Sequence, residues 1–304
     1  MELFDLHCDT LGECLKTGKS LFQNDMQLDV RRGLSISPWV QCFAVWIPDE
    51  MRGEEAVHFF DDAVRLLDQE AASHPELRRI FDGNDLDTLK PGECCALLTV
   101  ESGAALAGSL EQLHHLYQCG VRMMTLTWNG SNELGGGVRS PSSLTPFGVQ
   151  AVREMERLHM AIDLSHASER LFYSVAEHTE GPLVASHSNS RSVCPHPRNL
   201  TDEQFCLIRD RGGVVGLNFA PPFLRQEGKA CAQDIYRHAE HFLELDGEKT
   251  LAIGSDFDGT SLPEDIYGIA SMESVYEIFL RHGCSESLIH QIFFKNAYDF
   301  FHSL

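Results

Sequence analysis

The stretch MELFDLHCDT, residues 1–10, opens on a short apolar run, Leu3–His7, and closes on a histidine, a cysteine and an aspartate. A run this short suits a buried strand better than a helix. The same unit recurs at Val40–Ile47, Cys95–Val100, Met123–Thr127, Ala161–Ser165, Leu183–Ser186, Val214–Phe219 and Leu251–Ser255. Helical periodicity fills the gaps. Glu54–Ser73 places Ala56, Phe59, Phe60, Ala63, Leu66 and Leu67 at i, i+3, i+4, i+7 spacing, and Pro146–Leu158 and Asp202–Arg211 behave alike. Eight strand-then-helix units predict an α/β protein built as a TIM (β/α)8 barrel, with residues 1–304 forming one domain. Past the eighth run, Glu273–Arg281 and Glu286–Phe301 are expected to close the outside of the barrel. A doubly wound open sheet is the alternative, but no G-x-G-x-x-G follows the first run to support a nucleotide-binding version.

Composition narrows the function. The 304 residues carry a formal net charge of -21, which repels phosphate backbones and anionic membrane surfaces, so neither nucleic acid nor a membrane is expected as a partner. No segment approaches 18 uninterrupted apolar residues and the N-terminus lacks a basic leader, which reads as a cytoplasmic protein. The ten cysteines are scattered and are read as reduced core residues. Cys94 and Cys95 are adjacent and lack the C-x-x-C spacing of a redox or zinc motif.

Catalytic groups of a parallel barrel gather where strands end. Here the first run ends in His7-Cys8-Asp9, the third in Glu101, the fifth in His166, the sixth in His187 and the eighth in Asp256 and Asp258. Any one of them has an ordinary explanation, a hydrogen-bonded histidine or a helix-capping aspartate, and Asp258 in the turn before Gly259 fits that description. Together at one rim they would be costly without a cation to share. Residues i and i+2 of a strand share a face, so His7 and Asp9 are expected to project into the mouth while Cys8 faces the helices. With His166, His187 and a Glu101 that offers one oxygen to each side, the set reads as five ligands for two ions. Imidazole and carboxylate donors suit two Zn2+ per chain, with iron, cobalt or manganese as alternatives, and a paired-ion site suits hydrolysis.

The strings DLHCDT at 5–10, TVESG at 99–103, IDLSH at 162–166, SHSNSRSVCPHPRNLTD at 186–202, GVVGLNF at 213–219 and IGSDFDG at 253–259 resemble, in order, the membrane (renal) dipeptidase family of metallopeptidases, family M19. H-x-D alone is a weak signal; the combination is strong. The resemblance implies a binuclear zinc barrel acting on small dipeptides, with His7, Asp9, Glu101, His166 and His187 on the metal-ligand positions and Glu101 bridging. It puts Arg198 on the position that pairs with the substrate's terminal carboxylate, a task suited to a planar guanidinium. It puts Asp256 beside the reacting water, where it would hold the free amino group and carry a proton to the leaving nitrogen. A hydroxide bridging the ions would attack the carbonyl, with no covalent acyl-enzyme. Homodimers are common in the family, so a homodimer is carried over as an expectation.

The chain departs from the family at one point. Animal members have a Leu-Thr-His string whose histidine stabilises the oxyanion; here the string is Leu126-Thr127-Trp128-Asn129. Trp128 or Asn129 replaces the histidine as donor, or Trp128 is a pocket wall; both readings stand at this level. The glycine-rich loop 130–137 lacks the lysine of a phosphate loop. Two rival functions remain: another binuclear barrel hydrolase acting on a lactone, cyclic amide or phosphoester, and a metal-binding protein without catalysis. Such hydrolases commonly pair H-x-H with a lysine bridge, whereas this chain has H-x-D and no lysine at a strand end.

Overall fold

The computed structural model describes residues 1–304. Its nine parallel strands are β1 (Leu3–Cys8), β2 (Trp39–Trp46), β3 (Leu77–Ile80), β4 (Cys94–Glu101), β5 (Met123–Thr125), β6 (Ala161–Asp163), β7 (Leu183–Ala185), β8 (Val214–Leu217) and β9 (Leu251–Ile253). Pairing runs β2-β1-β9-β8-β7-β6-β5-β4-β3, and a further β2–β4 ladder closes eight of them into the expected barrel. β3 is the extra strand. It lies along the first half of β4, pairing Leu77 with Cys94 through Ile80 with Leu97, while β5 takes the second half of the same edge from Thr99 to Glu101.

Side chains sort into two apolar layers. Leu3, Cys8, Phe43, Val45, Ala96 and Leu98 pack outward with the helices. Phe4, Leu6, Val40, Cys42, Cys95, Leu97, Met123, Val184, Val214 and Ala252 fill the lumen. The helices form where the periodicity placed them: Glu54–Ser73, Pro146–Arg157, Asp202–Asp210 and Met272–Arg281. Thr201 and Gln204 cap the third of these reciprocally.

Three local features differ from the sequence expectation. First, the segment after Arg281 lies only partly on the outside: Ile289, Ile292 and Phe293 join the outer layer, but its end does not. It runs as helix Glu286–His290, a π-turn Gln291–Lys295 and helix Asn296–His302, and its Phe294, Ala297, Phe300 and Phe301 enter the lumen cluster from the N-terminal end of the strands. Phe4 and Phe301 stack with centroids 5.3 Å apart. The end of the segment thereby buries three large rings, Phe294, Phe300 and Phe301, at the base of the lumen. Second, most strands end earlier than their apolar runs, so Thr127, Ser165, Ser186, Phe219 and Ser255 sit in the turns that follow. Third, β1 does not alternate strictly. Its register to β2 slips between Asp5 and Cys8, which lets Leu6 face the lumen and His7 still turn inward, and Asp9 lies beyond the strand at the start of helix Thr10–Thr17. No helix is long and apolar enough to cross a membrane.

Candidate metal centre

The five residues expected to bind metal meet at the C-terminal mouth, all nearly inaccessible to solvent: His7, Asp9, Glu101, His166 and His187. Glu101, the last residue of β4, divides its two oxygens between two groups. Oε1 lies 2.8 Å from His166 Nε2 and 3.7 Å from His187 Nε2. Oε2 lies 3.5 Å from His7 Nε2, which is itself 3.4 Å from Asp9 Oδ2. One carboxylate thus faces an imidazole pair on one side and an imidazole and carboxylate on the other.

The residues fit a divalent cation on three counts. His166 Nε2 and His187 Nε2 point at each other across 3.0 Å, close to the roughly 3 Å between two nitrogens that each stand about 2.0–2.1 Å from one zinc ion. His7 Nε2 and Asp9 Oδ1 are buried with no hydrogen-bond partner, a costly state that an ion relieves. The ring nitrogens away from the cluster are engaged so as to leave Nε2 bare. His166 Nδ1 donates to Asn129 Oδ1 at 3.0 Å. His187 Nδ1 donates to Ser186 Oγ at 2.8 Å, and that hydroxyl donates onward to Asp163.

At His166, His187 and Glu101 the electrostatics agree with ligand duty. Burial lowers the His187 imidazole well below its usual range and the His166 imidazole to about 4, with the Arg198 cation adding to both. Both are neutral at pH 7, the form that binds metal. Burial works to raise the Glu101 carboxyl, but the His166 and His7 imidazoles outweigh it and hold it well below the usual carboxylate range. Asp256 goes the other way: burial, opposed by His7 and reinforced by Asp9 and Glu101, pushes its carboxyl up to about 7.

Strain marks the same rim. His166 (φ 66°), Asp256 (62°), Asp258 (66°) and Ser102 (88°) all adopt left-handed backbone without being glycine. Gly259 is required by proximity, since a Cβ there would overlap carboxylate oxygens of both Asp9 and Asp256.

Arg198 is buried at the same end, in the loop after β7. Its Nη2 donates to the His187 carbonyl at 3.3 Å, its guanidinium rests 5.3 Å from the Phe223 ring, and its Nε has no partner. It forms no ion pair with any carboxylate of the chain. Above the cluster lies a cavity of about 220 Å³, smaller than the roughly 300–1,000 Å³ of drug-sized sites. Trp46, Trp128 and Phe223 wall it, and Asp9, Glu101, His166 and Asp256 form its floor. Trp128 meets Trp46 edge-on at 5.0 Å. Asn129 stands behind His166, its amide oxygen taken by the ring.

Asp258 is tied into the scaffold. Its carboxylate accepts from Thr10 Oγ1 at 2.6 Å and from the Gln27 and Leu28 amides at 2.7 and 3.3 Å. Sequence reasoning passed over Asp163, Ser186 and Asn218. Asp163 accepts from the amides of Ser165 and Ser186, each at 2.9 Å, and from the Thr125 and Ser186 hydroxyls, binding β5, β6 and β7 together beneath the cluster. The serines beside both histidines, in IDLSH and SHS, were the available signal.

A carboxylate and imidazole cluster at the C-terminal mouth of a parallel barrel is an arrangement that metal-dependent hydrolases use. The chain belongs to the membrane dipeptidase family, peptidase family M19, which it matches over residues 1–302. It is 34% identical over 239 residues to an uncharacterised protein of the pqqA 5' region of Klebsiella pneumoniae, covering 74% of this chain and 88% of that one. Dipeptidase 3 of Rattus norvegicus is 29% identical over 255 residues, 81% of this chain but 52% of its own length, so the chain spans about half of that relative. The crystal structure of a metallopeptidase from Rhodobacter sphaeroides, liganded with a phosphinate mimic of the dipeptide L-Ala-D-Ala, superposes with a TM-score of 0.92 at 27% identity, covering 99% of this chain and 98% of that one.

Proposed function

We propose that the chain is a zinc-dependent dipeptidase that hydrolyses the peptide bond of small unblocked dipeptides, with residues 1–304 working as one catalytic domain in the cytoplasm. The observation that carries the substrate reading is Arg198: a buried guanidinium without a carboxylate partner, set beside a cluster of carboxylates and imidazoles. Such a cation is strongly favoured to take a carboxylate from outside, and the terminal carboxylate of a short peptide fits a cavity of about 220 Å³.

His7, Asp9, Glu101, His166 and His187 would hold two ions, with Glu101 between them. When bound, the ions supply a water of near-neutral pKa and polarise the scissile carbonyl. The protein's own groups do the rest. Arg198 anchors the carboxylate end and so sets which bond lies over the cluster. Asp256 binds the free amino group and, with a carboxyl that burial holds near neutrality, carries a proton to the departing nitrogen. Trp46 and Trp128 exclude bulk water, and Asn129 keeps the His166 ring aimed.

Metal analysis and a substrate panel test this reading. Two metal equivalents should accompany turnover of L-Xaa-L-Xaa or L-Xaa-D-Xaa dipeptides, with N-acetylated analogues resisting hydrolysis because their amino group is blocked. If unblocked dipeptides survive while lactones or phosphotriesters are cleaved, the substrate assignment falls.

A further inference from the structure

The turn that carries Trp128 and Asn129 opens a hairpin, residues 128–139, which grips His166 from two directions. His166 Nδ1 donates to Asn129 Oδ1, and the Val138 N–H donates to the His166 carbonyl at 3.0 Å. Gly137 also bridges to Ala167, the next residue. The hairpin thus holds both the ring and the left-handed backbone of His166 (φ 66°). Its two arms are tied together: the Gly137 N–H donates to the Gly130 carbonyl and the Arg139 N–H to the Asn129 carbonyl, each at 2.8 Å.

The far side of this hairpin is anchored by Asp49, half-buried in the loop after β2. Its Oδ2 accepts from the Gly130 N–H at 2.8 Å, the one hydrogen bond its side chain makes. The approach leaves room for glycine alone, because a Cβ on Gly130 would stand 2.8 Å from both Cγ and Oδ2 of Asp49. Arg52 adds a second tie, exposed to solvent, from Nη2 to the Ser131 carbonyl at 3.0 Å. Asp49 follows Trp46 by three residues, and the Trp46 ring meets Trp128 edge-on. One loop therefore supplies both the anchor of the hairpin and the ring against which its tryptophan rests.

We infer that Asp49 is a positioning residue: through Gly130 it fixes the turn that holds Trp128 against Trp46 and Asn129 behind His166. The residue lies outside the cavity wall and acts only through that turn. The inference rests on the proposed metal site for its effect on metal binding alone, since the placement of the two indoles needs no ion. Asp49→Asn keeps a side-chain oxygen for the Gly130 N–H at the same reach. Asp49→Ala removes it, and Gly130→Ala forces the two groups apart.

The test reads the full chain by circular dichroism without metal and by zinc titration against a chelator. Two indoles in edge contact couple their transitions. The third tryptophan, Trp39, sits at the opposite end of β2, roughly 23 Å from Trp46, so the couplet reports Trp46 with Trp128. Asp49→Ala and Gly130→Ala should each lose most of the couplet and weaken zinc binding about tenfold, the lower end of what losing an outer support costs. Adding Gly130→Ala to Asp49→Ala should change little further, because the group it would strike is already gone. Asp49→Asn should return both readings to near the wild-type level, which a general loss of stability would not do. A wild-type couplet in Asp49→Ala, or an Asp49→Asn chain as impaired as Asp49→Ala, would overturn the inference. If Asp49→Ala does not fold, Gly130→Ala and Asp49→Asn carry the same comparison. If the wild type binds no zinc, the metal reading falls and the couplet still decides the role of Asp49.

Discussion

Arg198 and Trp128 show how much one side chain can decide at this mouth. Replacing Arg198 by Met keeps its length and removes the charge, so a bound carboxylate loses a partner worth about 2–5 kcal/mol. The kcat/KM for dipeptides should then drop at least about 30-fold, while metal content stays at the wild-type level. An unchanged value would remove Arg198 from substrate recognition. Trp128 stands edge-on to Trp46 as part of the wall, and Asn129 is engaged with the His166 ring. Trp128→Phe should therefore leave kcat within about threefold, whereas losing an oxyanion donor costs about 2.7–4 kcal/mol in the barrier. Asn129→Ala frees the His166 ring and should weaken metal binding about 10–100-fold, as titration against a chelator would show. The reverse pattern would make Trp128 the donor.

At the level of elements, the C-terminal helix Asn296–His302 is a structural part of the lumen. Phe301 is nearly inaccessible and stacked on Phe4. Phe301→Ala should cost about 3–5 kcal/mol of unfolding free energy in a urea melt; a loss below about 1 kcal/mol would mean that the base of the barrel does not need the ring. Nothing in the sequence distinguishes this segment from a helix on the outer ring, because an apolar stripe of phenylalanines fits either surface. The eight barrel strands were legible because buried parallel strands read as unbroken apolar runs. β3 was not, since Arg78 and Arg79 interrupt its run and its existence depends on the spare edge of β4. The ends of the strands were blurred by tertiary demands: His166 and Asp256 leave extended backbone for left-handed conformations that only the site requires. All five candidate ligands were visible as residue types at strand ends. Of the supports, Ser186 was marked by the serine beside the histidine in SHS, while Asp163 and Asn218 were hidden because a buried hydrogen bond between strands leaves no local pattern.

At the scale of the whole molecule, acidity acts on the fold as well as on the site. His238 bridges two segments that flank the mouth, with Nδ1 accepting from the Ser190 N–H at 3.1 Å and Nε2 donating to the Leu224 carbonyl at 3.1 Å. Burial lowers its pKa to about 4, against the smaller opposing effect of the Leu224 carbonyl. The unfolded chain takes up that proton near pH 6.5 and the folded chain refuses it until about 4. Stability therefore falls as pH drops through this window, by on the order of 3 kcal/mol from this residue. Urea melts of the metal-free protein at pH 7.5, 5.5 and 4.5 should show the decline, and His238→Gln should make it shallower while the share from the buried His166 and His187 imidazoles stays. An equal slope in the variant would move the acid sensitivity elsewhere.

The phenylalanines at the base have a consequence for traffic. They make the barrel a blind well: reactant and both amino-acid products share one doorway, and nothing can thread through the far end. Each released amino acid leaves along the path by which the next dipeptide arrives, so the products should compete with substrate for entry.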